Sequence, residues 1–239
     1  MRVTRRAVLA ALAGGTQTFG ASKQYAGISF EVIRNGKSKR RYLLIHGDEQ
    51  TAREVLREHM KTYEGIAYLV MSEERHVPVP GGKIDPNRLW SHEGAQKNLR
   101  RLNPEWTGRQ VAVELARLDK ERWKLLDAVT PPAGGLLVAL HNNARGYSVN
   151  EEVPISDAVS LKEKDSPHEF FLATDESDYR ILATGPYNVV LQAKGPAEDD
   201  GSLSRLMARR RMRYVNLECA LGKKERQQEM LQWLERNLP

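Results

Sequence analysis

The chain has 239 residues, 40% of them hydrophobic and 28% charged, which suits one soluble globular domain with a proper core. Its one cysteine, Cys219, excludes an intramolecular disulfide and any cysteine-based metal cluster, so a metal here would be held by histidine and carboxylate. The net charge is +6, from 37 Lys and Arg against 31 Asp and Glu; leaving out Arg2, Arg5 and Arg6 gives 34 minus 31, or +3. The basic balance is therefore concentrated at the N-terminus, which argues against a nucleic-acid partner.

The first segment, Thr4-Arg5-Arg6-Ala7-Val8-Leu9, sets paired arginines directly before an apolar run from Ala7 to Leu12, with small residues beyond. That order is that of an export leader, and the adjacent arginines favour the twin-arginine route, which carries folded proteins. The expectation is a leader over residues 1–22 with cleavage near Gly20 to Ser22, one catalytic domain over 23–239, and a periplasmic location. A disordered basic tail is the alternative. The apolar run is too short to span a bilayer, so no stable membrane span is expected once the leader is removed.

Alternation from Ile28 to Ile33 predicts a strand, and Asn35-Gly36 predicts a hairpin leading into a second strand over Arg40 to Ile45. That second strand runs into His46-Gly47-Asp48-Glu49, and a helix is predicted over Thr51 to Lys61. Ala67-Tyr68-Leu69-Val70-Met71 is a continuous apolar run, consistent with a strand buried on both faces. Three prolines between Glu73 and Pro86 predict a loop, closing on Asp85-Pro86-Asn87-Arg88. An amide beside a guanidinium suits a carboxylate; a plain turn accounts for the Pro and Asn but not for the Arg.

Helices are predicted over Glu93 to Leu102 and Thr107 to Val129, the latter with Val111, Val113, Leu115, Leu118, Trp123, Leu125 and Leu126 available for packing. After Pro131 to Gly135 comes Leu136-Leu137-Val138-Ala139-Leu140, a buried-strand run that stops on His141-Asn142-Asn143. A loop is expected over Ala144 to Ser160, strands over Phe170 to Ala173 and Tyr187 to Gln192, a polar loop over Gly195 to Ser202 and a short helix over Leu203 to Arg210. Tyr214-Val215-Asn216-Leu217-Glu218 reads as a strand ending in glutamate, followed by an amphipathic C-terminal helix. Arg209-Arg210-Arg211-Met212-Arg213 has no interleaved aromatics and reads as a solvated face rather than a base-stacking platform. The other histidines, His59, His76, His92 and His168, are expected to be superficial or incidental.

Three separated strands thus end on residues that zinc hydrolases use: His46 with Glu49, His141, and Glu218. At the carboxyl ends of strands in an open α/β sheet such residues can converge. His46, Glu49 and His141 would supply three zinc ligands and leave a fourth position for water, with Glu218 the candidate general base. The bland reading of the first motif is a strand–turn–helix, with Gly47 in the turn and Asp48 capping the helix.

His46-Gly47-Asp48-Glu49, Asp85-Pro86-Asn87-Arg88, Leu140-His141-Asn142 and Asn216-Leu217-Glu218 resemble the motifs of M14-type zinc carboxypeptidases and of the related succinylglutamate desuccinylase–aspartoacylase branch. The resemblance spans residues 41–222. It implies a three-layer α/β/α domain with a central mixed, mostly parallel sheet. It also implies Zn2+ on His46, Glu49 and His141, a substrate carboxylate on Asn87 and Arg88, and Glu218 as base. The activity it implies is hydrolysis of an amide or peptide bond next to a free carboxylate. A carboxypeptidase-like reaction, an N-acyl-amino-acid deacylase and an inactive exported zinc- or peptide-binding module all stay open. The substrate would be a peptide, such as one from the cell wall, or an N-acyl amino acid. Two features depart from the peptidase pattern. The extra arginine that polarises the carbonyl has Arg75 as its nearest candidate, and residues 193–213 hold no covering tyrosine, so Tyr147 or Tyr187 would substitute or nothing does.

Overall fold

The structure, a computed structural model, describes residues 18–143 and 146–239. Most of the expected leader, and Ala144 and Arg145 of the expected loop, lie outside the described residues. In chain order the first elements are β1 (Thr18–Tyr25), β2 (Ile28–Asn35), β3 (Arg41–Leu44), α1 (Gln50–His59) and β4 (Gly65–Val70). Next come β5 (Val77–Val79), β6 (Gly82–Ile84), a 3-10 turn (Pro86–Arg88), α2 (His92–Leu102), α3 (Gly108–Val129) and β7 (Leu137–Asn143). The remainder is α4 (Val149–Glu152), a second 3-10 turn (Val153–Ile155), β8 (Ala158–Ser160), β9 (Phe170–Ala173), α5 (Glu176–Leu182), β10 (Asn188–Leu191), α6 (Leu203–Arg209), β11 (Tyr214–Ala220) and α7 (Lys224–Asn237).

Nine of the strands make one mixed sheet in the order β1-β2-β4-β3-β7-β11-β9-β10-β8, and β5 and β6 form a separate hairpin. The centre, β4-β3-β7-β11, is parallel throughout. Its strands are the continuous apolar runs, because a strand covered on both faces has no solvent side on which to alternate. Leu43, Leu137, Ala139 and Tyr214 pack on one face with residues of α2, α3 and α6. Leu44, Val138, Leu140, Val215 and Leu217 pack on the other with α1, α5 and α7. The result is the three-layer α/β/α arrangement. Among the described residues no helix is long and apolar enough to cross a membrane.

Several local expectations are corrected. Asn35-Gly36 does turn, with Gly36 at φ 61°, but β2 and β3 are not hairpin partners. The Gly65–Val70 strand inserts between them, antiparallel to β2 and parallel to β3. A strand apolar on both faces is best satisfied with a neighbour on each edge. β1 includes Gly20 to Ser22 and pairs with β2 from Tyr25↔Ile28 outward. The proline-rich loop contains the β5–β6 hairpin, and α4 and β8 fall in the expected loop before Ser160. On α3, Val113 and Trp123 are exposed instead of packed, because both point away from the sheet that Leu115 and Leu118 face. His59 is not superficial: it is buried, stacked on Tyr63 at 4.3 Å and edge-on to Tyr42 at 5.1 Å.

Candidate metal centre

His46 and Glu49 sit in the link from β3 to α1. Gly47 is required there by close approach: a Cβ would lie 2.4 Å from the backbone oxygen of Ser72. Gly47 N donates to Glu74 O at 3.1 Å, which draws the 72–75 segment over the link. The bland capping reading does not hold. The residue at the N-cap of α1 is Glu49, not Asp48, and its side chain makes no cap hydrogen bond. A helix terminus ordinarily uses such a side chain to satisfy its own amide donors. Here the carboxylate turns instead toward two imidazoles.

His46 Nδ1 lies 2.8 Å from Glu49 Oε1, and His141 Nδ1 lies 3.3 Å from that oxygen and 3.1 Å from Oε2. The two rings are 5.2 Å apart between centroids, inclined at 60°. All three residues are buried, and one ligand atom from each lies within 4.8 Å of the others. Glu49 Oε2 is buried and, although close to His141 Nδ1, lacks the alignment of a hydrogen bond with it. Two nitrogens and a carboxylate so gathered, with one buried oxygen not hydrogen-bonded, fit the donor set that zinc takes.

The far nitrogen of His46, Nε2, lies 2.9 Å from Asp85 Oδ1. That oxygen also accepts from Asn87 N at 2.9 Å, while Asp85 N donates to Asn98 Oδ1 on α2 at 2.9 Å. Asp85 therefore caps its own 3-10 turn and fixes the imidazole so that Nδ1 faces Glu49. A carboxylate behind a metal-ligating histidine sets its tautomer and raises its basicity. Sequence reasoning treated Asp85 as turn chemistry only; its place directly before Pro86-Asn87-Arg88 was the available signal.

Burial alone would lower the pKa of His46, but Glu49 and Asp85 outweigh it and push it up to about 9. Burial opposes the charge of Glu49 too, yet His141 and His46 hold its carboxyl well below the usual range. Asp85 is likewise depressed against burial, by His46 first and then by Arg88 and Arg75.

Glu218 reaches the same face from β11. It is the register partner of His141 across the parallel β11–β7 ladder, so both side chains leave the sheet on one side. Residues two apart on each strand share that face. Asn216 Nδ2 donates to Glu218 Oε1 at 3.0 Å, and Asn143 Nδ2 donates to Oε2 at 3.3 Å. Burial pushes the Glu218 carboxyl up; His141 and the Asn216 hydrogen bond oppose this, and Glu49 adds to it. Asn142, between His141 and Asn143, points to the opposite face, where its Oδ1 accepts from Ala52 N at 2.7 Å and anchors α1.

Arg75 also has a place. Its Nη1 lies 3.3 Å from Glu49 Oε1 and its Nε 4.0 Å from Asp85 Oδ2, with a side chain 43% exposed. Asn87 and Arg88 follow Asp85 on the 3-10 turn, both half-buried. Asn87 Oδ1 accepts from Leu203 N at 3.1 Å, so the end of its amide left to meet a ligand is the NH2. Tyr147 does not stand free over the site: its hydroxyl donates to Glu152 Oε1 at 2.6 Å. Tyr187 packs against Phe171 and Trp233, in the opposite layer.

Two proteins of known structure resemble the chain. One is a succinylglutamate desuccinylase/aspartoacylase from Rhodobacter sphaeroides, with TM-score 0.48 and 15% identity over 98% of this chain and 69% of that one. The other is the ectoine utilization protein EutE (DoeB) from Ruegeria pomeroyi. Its apo structure gives TM-score 0.42 and 14% identity, and its product-bound structure 0.44 and 15%; each covers 87% of this chain and 59% of that one. No family model matches the chain, and no curated protein matches it in sequence.

Proposed function

We propose that the protein is a zinc-dependent hydrolase that cleaves an amide bond next to a free carboxylate. The observation that carries this reading is the convergence of His46, Glu49 and His141 within 4.8 Å, buried, with Glu218 leaving the neighbouring strand on the same face. Bound by the two Nδ1 atoms and the Glu49 carboxylate, zinc would lower the pKa of a coordinated water to about 7 and polarise the substrate carbonyl.

The chain's own groups do the rest. Glu218, its basicity raised by burial, takes a proton from the attacking water and delivers it to the leaving nitrogen. The two asparagine amides on its oxygens hold it in line through both transfers. Asp85 keeps the His46 ring turned so that Nδ1 stays available. Arg75, half-exposed beside Glu49, is placed to stabilise negative charge developing on the carbonyl oxygen. The Asn87 amide and the Arg88 guanidinium bind the substrate carboxylate. Carboxypeptidase-like and N-acyl-amino-acid deacylase reactions both use these parts. The export reading belongs to the same proposal: residues 1–22 as a twin-arginine leader and a periplasmic site of action, where wall-derived peptides or N-acyl amino acids would be met. Sequencing the N-terminus of protein recovered from the periplasm tests it, and recovery only from the cytoplasm with an intact N-terminus would contradict it.

The test of activity is zinc-loaded protein against a panel of N-acyl amino acids and short peptides with free carboxyl ends. Turnover that disappears in Glu218→Gln with zinc still bound is the expected result. Equal, near-zero rates for wild type and variant would leave a binding module.

A further inference from the structure

The carboxylate-binding arginine has an acid beside it. Arg88 Nη2 lies 3.9 Å from Asp200 Oδ2, and the two side chains are about one-third exposed, at 33% and 30%. The oxygens of Asp200 are used unequally. Oδ1 accepts from Ser202 N at 2.9 Å and forms an ion pair with Arg205 Nε at 3.0 Å. Oδ2 makes no hydrogen bond among the described residues, and 3.9 Å to Arg88 is too long for one. One oxygen is anchored by an amide and an ion pair, and the other is left toward Arg88.

The loop that carries Asp200 is locked in place. Trp90 N donates to Gly201 O at 3.2 Å, and Leu203 N to Asn87 Oδ1 at 3.1 Å. Gly201 has φ 77°, and a Cβ on it would lie 2.4 Å from Arg88 O; a Cβ on Gly94 would lie 2.1 Å from the Cα of Gly201. Two glycines in contact thus seat this loop directly on the Asn87–Arg88 turn. The Asn87–Arg88 turn and the Asp200 carboxylate are thereby held together, with Arg88 Nη2 3.9 Å from Oδ2.

We propose that the substrate end recognised here is a zwitterionic α-amino acid centre, with its carboxylate on Asn87 and Arg88 and its ammonium on Asp200. This rests on the zinc-hydrolase reading above and narrows its substrate: the bound carboxylate belongs to the α-centre, and the scissile amide lies along the side chain rather than directly beside that carboxylate. A lone guanidinium would suit any carboxylate, whereas an arginine with a fixed acid at its side favours a carboxylate that brings its own cation. An α-nitrogen that is a free ammonium is not the scissile nitrogen. The bond cut then lies further along the side chain, and we take it as an amide on a side-chain nitrogen, as in an ω-N-acyl diamino acid. Water adds its oxygen to the acyl carbon, the carbon–nitrogen bond breaks, and the proton taken up by Glu218 goes to the departing nitrogen. The products are a carboxylate and a free diamino acid.

The experiment compares matched substrates on zinc-loaded wild type: ω-N-acetyl diamino acids of several chain lengths, their des-amino analogues, which differ only in lacking the α-ammonium, and α-N-acetyl amino acids. Calorimetric titration with the free diamino acids and their des-amino counterparts adds a binding readout that needs no turnover. The expected result is kcat/KM at least about tenfold higher with the ammonium present, and tighter binding to match, as for a hydrogen bond to a charged group. Asp200→Asn keeps the acceptor for Ser202 N, and in it that ratio should fall toward one; a thermal melt checks its fold, and the wild-type comparison stands without it. Preference for the des-amino or α-N-acetyl compounds would overturn the proposal and leave the hydrolase intact. An equal gain on every substrate in Asp200→Asn would also overturn it, making Asp200 a shield of Arg88. No turnover and no binding of any compound would remove the hydrolase reading, and this proposal with it.

Discussion

Glu218 and His141 are register partners on adjacent parallel strands, and that single pairing brings the candidate base to the candidate metal ligand. The ladder fixes it: Leu217↔Leu140 and Cys219↔Asn142 point into the opposite layer, so Glu218 and His141 face the site together. Glu218→Gln keeps the shape and removes the basicity. The rate of amide cleavage should fall about 10²–10⁴-fold, the usual range for a positioned general base. Steady-state kinetics on zinc-loaded protein, with metal content measured in parallel, checks this; a loss of less than tenfold would assign the proton transfer elsewhere.

Asp85 should act on metal affinity rather than on the chemical step. Its Oδ1 holds His46 Nε2 at 2.9 Å, and loss of such a partner typically weakens binding about 10–100-fold. Asp85→Asn, titrated with zinc against a competing chelator, should show that loss, with kcat much less affected at saturating metal. An unchanged affinity would mean that the imidazole is oriented by packing alone.

The legibility of this site in the sequence was uneven, for physical reasons. His46, His141 and Glu218 were visible because each ends a long apolar run, and such runs mark strands buried on both faces. Their convergence rested on the resemblance rather than on any local pattern, since it depends on β3, β7 and β11 being neighbours in the sheet, and strand order is a non-local property. The β2–β3 hairpin was misread for the same reason: Asn35-Gly36 reports a turn but not which strand comes to lie beside the first. Asp85 and Arg75 lie in a proline-rich loop without periodicity, so only contacts across the fold show their roles. The α5 helix was missed because Glu176–Leu182 is short and its amide donors are capped by Asp175 rather than announced by an apolar pattern.

A second buried cluster, away from the site, should contribute to acid stability. Glu235 accepts from Tyr42 OH at 2.8 Å, pairs with Arg40 Nε at 3.1 Å and lies 3.5 Å from His59 Nε2. Burial would raise its pKa, but the His59 contact and then the Arg40 charge hold the carboxyl below its usual range. A carboxyl depressed in the folded state contributes stability that is fully present above its unfolded pKa of about 4.3 and is lost as pH falls through the folded value. Glu235→Gln should cost about 1–3 kcal/mol near neutral pH and flatten the acid limb of the stability profile. Urea melts across pH 3 to 7 measure both; a variant profile parallel to wild type would contradict the assignment.

Gly94 tests the seating of the acidic loop. A methyl group there would meet the Gly201 backbone at 2.1 Å, which no side-chain rotation relieves. Gly94→Ala should destabilise by about 1–3 kcal/mol through overpacking. It should also weaken substrate binding by moving the segment beside Arg88. Thermal unfolding with KM measurements checks both, and a neutral substitution would mean that the loop is not held where the structure has it.

The central claim is that two histidines and one glutamate, distant in sequence, bind one divalent cation. Zinc content of purified protein, measured in wild type and in His46→Ala, Glu49→Ala and His141→Ala, tests it most directly. The account predicts one zinc per chain in wild type and loss of it in each variant, with the fold retained by circular dichroism. Zinc absent from wild type after reconstitution, or retained undiminished in the folded variants, would contradict it.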